Sequence, residues 1–252
     1  MPLFTILTLF PDALEPYLAC GVLGNARQKG LLDIRLIDFR DWTRNRHRAV
    51  DDRPYGGGPG MLLKPEPIVE CVEWVEDNFG PHEKFALCPS GRPFRQPVAA
   101  ELAALERCLL LCGRYEGFDQ RIFELLDFHR LSIGDFVLAG GELPALCVLE
   151  AAARLLPGVL GNERSALEDS FDHRDTDGSG GGLDHPHYTR PRSFRNKHVP
   201  DVLLGGDHGA IERWRAIQAR ELTQNRQTDC GSAPPAPSGG SEPAAETERK
   251  NA

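Results

Sequence analysis

Short apolar runs alternate with longer amphipathic segments between Phe4 and Leu156, and this alternation constrains the fold more than any other feature of the chain. The short runs predict strands, and the longer segments predict helices. Strands that are continuously apolar, each followed by a helix, are typical of a parallel sheet covered on both faces. The predicted fold class is therefore α/β.

The predicted strands are Phe4–Phe10, Leu32–Phe39, Phe85–Cys88, Cys108–Cys112, Phe128–Ile133 and Val137–Leu138. The predicted helices are Leu14–Lys29, Pro65–Phe79, Val98–Leu105, Asp119–Leu126, Glu142–Leu156 and, much later in the chain, Ala210–Arg220.

The composition is that of an ordinary soluble protein. Of the 252 residues, 40% are hydrophobic and 26% are charged, as in average globular domains. No apolar run approaches the ~18 residues of a membrane span, and the N-terminus lacks the basic start of a signal peptide. We therefore expect a cytoplasmic protein with no membrane partner. The seven cysteines form no C-x-x-C pair, which argues against a disulfide framework and against a zinc site.

Three glycine-rich segments, each beside a predicted strand, indicate one composite ligand pocket. They are Tyr55–Met61, Leu111–Gly117 and Ser132–Ala145. Glycine allows a ligand to approach bare backbone, so that main-chain N–H and C=O groups can read an adenine edge or a carboxylate. The first segment lacks the Gly-Lys-Ser/Thr of a P-loop, and the third contains no G-x-G-x-x-G turn. Each segment on its own is also consistent with a tight turn.

Between Asp172 and His187 the chain is polar and rich in glycine, which predicts a flexible interdomain linker. The spacing of His173, Asp175, Asp177 and Asp184 resembles a calcium-binding EF-hand loop. Its first position is histidine and its last is not the bidentate glutamate of such loops. The solvated linker is the favoured interpretation, and no metal site is predicted.

Two basic regions indicate a polyanionic partner. From Arg190 to Arg226 there are eight Lys and Arg residues against four Asp and Glu residues, in a chain whose formal net charge is -8. This local inversion of charge favours RNA. The second cluster combines basic side chains with aromatic ones suited to stacked bases; it contains Arg40, Trp42, Arg44, Arg46, His47, Arg48, Arg53 and Tyr55. Either cluster alone is also consistent with solvated surface arginines.

Five ordered motifs carry a resemblance to bacterial TrmD, the tRNA guanine-N1 methyltransferase family of the SPOUT superfamily. They are Tyr55–Met61, Leu111–Gly117, Ser132–Ala145, Asp169-Ser170-Phe171 and Pro186–Pro191. The resemblance implies a SPOUT-type parallel sheet with a deep trefoil knot in the region from 113 to 144, and a small helical C-terminal domain. It also implies binding of S-adenosylmethionine (AdoMet) in a bent conformation.

The domain organisation expected from the resemblance and the composition has four parts. Residues 1–165 form the AdoMet-binding SPOUT domain, and 166–187 form the linker, which is longer than is usual in the family. Residues 188–226 form a shortened helical tRNA-binding domain. Residues 227–252 are rich in Pro, Ser, Gly and Glu and are expected to be disordered.

The resemblance implies methyl transfer from AdoMet to N1 of the guanosine just 3′ of a tRNA anticodon. N1 of neutral guanine carries a proton, and negative charge develops toward O6 as that proton leaves, so the reaction requires both a base and a cation. By the family match, Asp169 is the expected general base and Arg154 the expected cation at O6. From the residues alone, Arg154 also fits a cation at the C-terminal end of its helix.

The same match predicts the AdoMet-binding residues. Most of them would act through backbone groups or apolar walls around the adenine, and Phe136 stands where a tyrosine is common in the family. Glu116 is expected beside the methionine end of AdoMet, with Mg²⁺ as a candidate bridging ion, although on its own it is an ordinary turn carboxylate. The predicted set is Leu87, Pro89, Gly113, Tyr115, Glu116, Ile133, Gly134, Asp135, Phe136, Val137, Leu138, Gly140, Gly141 and Pro144.

The family further implies a homodimer whose active site is shared, with the pocket from one chain and Asp169 from the other. Two alternatives remain at the level of the sequence. One is a non-catalytic RNA-binding module, which has no need of Asp169 and Arg154. The other is a different SPOUT RNA methyltransferase, which would lack the Asp-Ser-Phe and Tyr-Thr-Arg-Pro pairing.

Overall fold

The computed structural model describes residues 1–161, 169–171 and 181–231. The chain divides into two compact units, Met1–Asp172 and His173–Ala252. The first unit contains seven strands, six α-helices and a short 3₁₀ helix, Phe39–Trp42, among its described residues. In chain order the strands and α-helices are β1 (Leu3–Thr8), α1 (Pro11–Leu18), α2 (Gly21–Gln28), β2 (Asp33–Asp38), β3 (Asp51–Asp52), β4 (Leu62–Leu63), α3 (Pro65–Phe79), β5 (Glu83–Pro93), α4 (Gln96–Ala103), β6 (Arg107–Cys112), α5 (Arg121–Leu125), β7 (Phe128–Ser132) and α6 (Glu142–Ala153).

Five of these strands form one parallel sheet in the order β2-β1-β6-β5-β7. Strand β1 lies beside both β2 and β6, so that Leu3 is opposite Asp33 on one side and Arg107 on the other. Because every strand pair in this sheet is parallel, the carboxyl ends of the strands meet at one edge. The predicted α/β class with a parallel sheet is confirmed.

Both faces of the sheet are buried, and β6 shows how one strand serves both cores. Cys108 and Leu110 belong to a hydrophobic cluster on one face, where α1, α2, α4 and α6 pack. Leu109 and Leu111 belong to a second cluster on the other face, with α3 and α5. Successive side chains of a strand point to opposite faces, so a continuously apolar strand such as β6 requires cover on both sides.

Helix α3 begins and ends where the sequence predicts. Pro65 stands at the first helical position, where its missing N–H is not needed, and Gly80 ends the helix with a positive φ of 84°. The prediction of one helix from Leu14 to Lys29 is wrong. Two helices replace it, because the chain turns at Ala19 and Cys20 and continues through Gly21 at a φ of 60°.

Strand β5 carries an irregularity that the sequence does not predict. Its pairing with β7 shifts register between Leu87 and Arg92, which leaves a bulge at residues 88–91. The prediction that Val137–Leu138 is a strand is also wrong, because β7 ends at Ser132 and the following segment is a loop without ladder pairing. Both features lie at the carboxyl edge of the sheet, where bulges and loops re-aim side chains.

The second unit contains a two-stranded antiparallel hairpin, a short 3₁₀ helix, Asp201–Leu203, and a long helix among its described residues. The hairpin pairs β8 (Ser193–Phe194) with β9 (Lys197–His198). The predicted helix Ala210–Arg220 lies within α7 (His208–Gly231).

The predicted disordered tail and the EF-hand candidate both extend beyond the described residues of the second unit. The tail predicted as disordered begins at Gln227, whereas α7 continues to Gly231, because the Pro and Ser residues that predict disorder begin only after that glycine. The other residues of that tail, 232–252, lie outside the described part of the chain. So does most of the EF-hand candidate, of which only Asp184 is described. No helix within the described ranges is long and apolar enough to cross a membrane.

Candidate active site

A cavity of about 430 Å³ lies at the carboxyl ends of β5, β6 and β7. In open α/β sheets ligands bind outside the carboxyl ends of the strands, and the volume is within the usual range for small-molecule sites. Thirteen of the fourteen residues predicted to bind AdoMet line this cavity: Leu87, Pro89, Gly113, Tyr115, Glu116, Ile133, Gly134, Phe136, Val137, Leu138, Gly140, Gly141 and Pro144.

Two sequence predictions fall outside the cavity lining. Asp135 is exposed and does not line the cavity, whereas its neighbours Gly134 and Phe136 do. The segment Tyr55–Met61 does not line it either. It contacts the loop after β6 instead, through the backbone N–H of Glu116, which donates to the Met61 carbonyl at 3.0 Å. Two of the three glycine-rich segments therefore enclose the cavity, and the third supports one of them.

The residue-by-residue prediction leaves out eleven lining residues, although four of them (Arg114, Gly117, Ser132 and Ala139) lie within the glycine-rich segments assigned to the pocket. Cys88 and Ser90 lie at the β5 bulge, and Ser132 lies at the end of β7. The register shift between these two strands decides which of their side chains face the cavity. Others come from α5 and its approach, which the sequence did not associate with the pocket. The full set is Cys88, Ser90, Arg114, Gly117, Phe118, Gln120, Phe123, Arg130, Leu131, Ser132 and Ala139.

A buried carboxylate joins three segments beneath the cavity. Glu142, 6% exposed, accepts a hydrogen bond from the Thr8 hydroxyl at 2.9 Å and forms an ion pair with Arg114 at 2.9 Å. It stands in the first turn of α6, where a negative charge is favourable. The guanidinium of Arg114 also lies 4.5 Å above the ring of Phe10. An acidic residue opening an otherwise apolar helix was the available sequence signal, but Arg114 could not be identified as its partner.

Gly140 and Gly141 line the cavity and also allow close packing of protein segments. A Cβ atom at Gly140 would lie 2.3 Å from Nε of Arg114. A Cβ atom at Gly141 would lie 2.7 Å from both Cα of Cys112 and the backbone N of Gly113. The N–H of Gly141 donates to the Gly113 carbonyl at 2.8 Å. A side chain at Gly141 would therefore meet the end of β6, whereas contact of either glycine's backbone with AdoMet stays a prediction.

The other glycines of the cavity differ in what surrounds them. At Gly134 a Cβ atom would lie 2.5 Å from the ring of Phe136, so the small residue lets that ring fold back. Gly117 has a φ of 119°, and a Cβ atom added there would have no neighbour within 4 Å among the described residues. Tyr115 adopts a φ of 58°, a conformation that is strained for a residue with a side chain and that clusters at functional sites. Gly117 is therefore the cavity glycine most open to an approaching ligand.

Arg154 and Asp169, the two predicted catalytic residues, form an ion pair with each other. Nη2 of Arg154 donates to Oδ2 of Asp169, and the side chains are 40% and 45% exposed. Arg154 is the C-cap of α6, so the end of that helix aims the guanidinium. Neither residue lines the cavity of its own chain.

The basic cluster at residues 40–53 is partly neutralised by carboxylates. Arg40 pairs with Asp38 at 2.8 Å, and Arg44 pairs with Glu70 at 3.0 Å. Hydrogen bonding to Asp38 raises the pKa of Arg40. The partner of Arg44 lies far along the sequence on α3, so the count of basic residues overstated the positive charge of this surface.

Comparison with known proteins gives consistent results over nearly the whole chain. Residues 3–232 match the family described as tRNA (Guanine-1)-methyltransferase TrmD. The tRNA (guanine-N(1)-)-methyltransferase of Rhodopirellula baltica is 49% identical over 228 residues, which cover 90% of this chain and 92% of that protein. The enzyme of the same name from Anaeromyxobacter sp. is 50% identical, covering 89% of this chain and 88% of that protein.

The fold agrees with the sequence comparisons. The crystal structure of tRNA (m1G37) methyltransferase from Aquifex aeolicus is similar to this chain with a TM-score of 0.72 at 36% sequence identity, covering 92% of this chain and 94% of that one. The order of the glycine-rich motifs, the cavity that two of them enclose and these similarities agree, and the chain belongs to the TrmD family of tRNA (guanine-1)-methyltransferases.

Proposed function

We propose that this protein is a tRNA (guanine-N1)-methyltransferase, which transfers a methyl group from AdoMet to N1 of the guanosine 3′ of the tRNA anticodon. The family supports the reaction, and the crystal structure of the Aquifex aeolicus enzyme, named for m1G37, supports the position. The observation that carries the chemistry is the pairing of Arg154 with Asp169. A non-catalytic RNA-binding module would have no use for that pair.

The cavity is the proposed AdoMet site, and its residues fit that molecule. Leu87, Ile133, Leu138 and Pro144 supply apolar walls for a flat base. The open backbone at Gly117 allows main-chain groups to meet polar atoms of the ligand. When bound there, AdoMet would supply an electrophilic methyl group on sulfur.

The adjacent Arg154 and Asp169 side chains complement the Watson–Crick edge of guanine. Guanine presents an acceptor, O6, beside a donor, N1–H, and a guanidinium offers only donors whereas a carboxylate offers only acceptors. Adenine presents a donor beside an acceptor at the same two positions, so the pair would face it with the wrong polarity. Substrate binding would turn both side chains from each other onto the base.

In the proposed step Asp169 accepts the N1 proton as the N1 lone pair attacks the methyl group. General-base catalysis of this kind contributes typically ~10²–10⁴ in rate. Arg154 stabilises the negative charge that develops at O6, which is most effective where water is excluded. The proton would finish on the carboxyl group of Asp169 and the methyl group on N1. The carbon–sulfur bond would break with its electron pair left on sulfur, so that S-adenosylhomocysteine would be the leaving group.

A homodimer with a shared active site accounts for the separation of the cavity from the catalytic pair. Because Arg154 and Asp169 do not line the cavity of their own chain, a second chain would bring its pair to this chain's cavity. Helix α6 offers a suitable surface for association. Its residue Leu143 is 63% exposed, and two turns further along the helix Glu150 accepts a hydrogen bond from the hydroxyl of Tyr17, which is 46% exposed and belongs to α1. Exposed apolar side chains that share one surface are typical of association sites.

The remaining parts of the proposal concern fold and partners. Residues 1–165 would be the SPOUT domain, 166–187 the linker, and 188–226 the tRNA-binding domain, whose basic residues on α7 favour a polyanion. The trefoil knot of the SPOUT domain rests on membership of the family. The two segments that would form it, the loop after β6 and the segment after β7, are adjacent, and Arg114 pairs with Gly140 between them. A cytoplasmic location follows from the tRNA substrate.

Mg²⁺ has weaker support than AdoMet. Glu116 is a single exposed carboxylate at the cavity. Mg²⁺ is usually held by carboxylates together with substrate and water oxygens, so Glu116 alone could hold it only with such oxygens. No step of the proposed reaction depends on that ion.

Base substitution in the tRNA tests the proposal. Full-length protein, AdoMet and tRNA should give a reverse-transcription stop at the guanosine 3′ of the anticodon, because a methyl group at N1 blocks Watson–Crick pairing. Inosine at that position keeps O6 and N1–H and should still be methylated, whereas adenosine should not. Methylation at a ribose or at another base would contradict the proposal, and methylation of adenosine would contradict the role given to Arg154 and Asp169.

A further inference from the structure

Three potential metal ligands converge in the second unit, and none of them is assigned a role in methyl transfer. A ligand atom from each of Asp184, His185 and His187 lies within 4.8 Å of the other two. Nε2 of His187 is 2.8 Å from Oδ2 of Asp184, and Nε2 of His185 is 3.7 Å from Oδ1. The side chains of Asp184 and His185 are mostly buried, at 24% and 14% exposed, whereas that of His187 is 70% exposed.

The hydrogen bonding of His185 leaves its Nε2 lone pair facing the carboxylate. Its Nδ1 is 3.2 Å from the Pro186 carbonyl, and because a carbonyl only accepts, Nδ1 must carry the proton. Nε2 of the neutral ring is then an acceptor. It faces an acceptor oxygen of Asp184 at a distance too long for a hydrogen bond. Two electron-rich atoms held in this way are suited to a cation between them.

Two hydrogen-bond donors orient the carboxyl group of Asp184. Nε2 of His187 is 2.8 Å from Oδ2, and the backbone N–H of His185 donates to Oδ1 at 2.6 Å. Both carboxylate oxygens are therefore held in place beside the two imidazole rings, as the ligands of a metal site are.

Packing against α7 fixes the position of the three ligands. The rings of His185 and His187 lie 4.4 Å apart, and the ring of Trp214 lies 6.3 Å from that of His185. The residue before the cluster is anchored as well, since the N–H of Leu183 donates to the hydroxyl of Thr223 at 2.9 Å. The carbonyl of Pro186 orients His185 in the way that outer-shell partners orient metal-ligating histidines.

We propose that Asp184, His185 and His187 form a binding site for a divalent transition metal ion, with Zn²⁺ as the specific expectation. Two imidazole nitrogens and one carboxylate oxygen suit Zn²⁺, whereas Mg²⁺ and Ca²⁺ prefer oxygen ligands throughout. Zn²⁺ with three protein ligands keeps a fourth position for water or another group. The bound ion would hold the segment from Asp184 to His187 in one conformation. This site is independent of the methyl-transfer chemistry.

Zn²⁺ titration of the full-length protein by calorimetry at neutral pH tests the site. The wild-type chain should bind one Zn²⁺ at this cluster, and His187→Ala should weaken binding by at least the ~10–100-fold that loss of an outer-shell partner costs. Asp184→Asn, which keeps the shape of the side chain, should do the same. His129→Ala is the matched control, because His129 also pairs with a carboxylate, Glu83, at 2.7 Å on an exposed surface, and it should bind as the wild type does.

Cysteine is the main competitor for Zn²⁺, so the titrations are made in a Cys20→Ser/Cys147→Ser/Cys230→Ser background. This background removes the two thiols that are exposed among the described side chains, together with the thiol of Cys230. Co²⁺ provides a second readout, since thiolate ligands add a charge-transfer band that histidine and aspartate do not give. The proposal is overturned if the protein with Asp184, His185 and His187 intact binds no Zn²⁺ in this background. It is also overturned if the His187→Ala and Asp184→Asn variants bind Zn²⁺ as tightly as His129→Ala does, or if the Co²⁺ spectrum shows the thiolate charge-transfer band.

Discussion

Gly141→Ala should destabilise the first unit rather than fill the ligand cavity. The added Cβ atom would lie 2.7 Å from Cα of Cys112 and from the backbone N of Gly113, whereas ordinary contacts begin at 3.4 Å. The start of α6 and the end of β6 would have to separate by about 0.7 Å, the difference between those two distances. Both sides of the contact are buried backbone, so neither can yield by a change of rotamer.

Overpacking of this kind costs typically ~1–3 kcal/mol. For a folded unit of this size, that cost lowers Tm by about 2–12 °C. The hydrogen bond from Gly141 to Gly113 would also lengthen. Thermal unfolding followed by far-ultraviolet circular dichroism, with AdoMet affinity measured by calorimetry at a temperature where the variant is folded, gives both quantities.

Gly161→Ala is the matched control, because a Cβ atom there has no neighbour within 4 Å among the residues that the structure describes. Its stability should stay the same or rise by the ~0.4–1 kcal/mol that Gly→Ala gains at a compatible site. If Gly141→Ala is as stable as Gly161→Ala but no longer binds AdoMet, the side chain enters the ligand space and the packing argument is refuted.

Two further predictions concern the dimer and pH. Leu138→Arg should block the cavity without unfolding the chain, since Leu138 is 40% exposed. Mixing this inactive subunit with the inactive Asp169→Asn subunit should restore activity, because each heterodimer has one site with neither substitution. A mixture that stays inactive after subunit exchange has been verified contradicts the shared site. Burial lowers the pKa of His82 below its ordinary value of 6.5, so the unfolded state binds more protons just below pH 6.5. The free energy of unfolding should therefore fall as pH decreases through that value, and urea titrations should show a smaller fall in His82→Gln; an equal fall in both would exclude His82 as its source.

The sequence predicts elements whose ends are decided locally. Helix α3 is an example, since Pro65 and Gly80 mark its limits by their own backbone preferences. The break between α1 and α2 was missed because the small residues Ala19, Cys20 and Gly21 do not interrupt the apolar pattern of a continuous helix. The strand order β2-β1-β6-β5-β7 could not be predicted either, because strand pairing depends on contacts distant in sequence.

For the candidate site, the family motifs located the cavity, but not what each residue does there. The segment Ser132–Ala145 was correctly placed at the cavity. The sequence could not predict that Gly141 packs against the end of β6, or that Glu142 pairs with Arg114, because both contacts depend on the three-dimensional fold. The ion pair between Arg154 and Asp169 joins two residues predicted separately.

The most direct test of the proposed mechanism is single-turnover methyl transfer by Asp169→Asn. Asparagine keeps the size of the side chain but cannot take the N1 proton, and Asp169 does not line the cavity. We expect methyl transfer to fall by about 10²-fold or more, with AdoMet affinity unchanged by calorimetry. If the variant gives reverse-transcription stops at the wild-type rate, Asp169 is not the base, and the proton must leave N1 by another route.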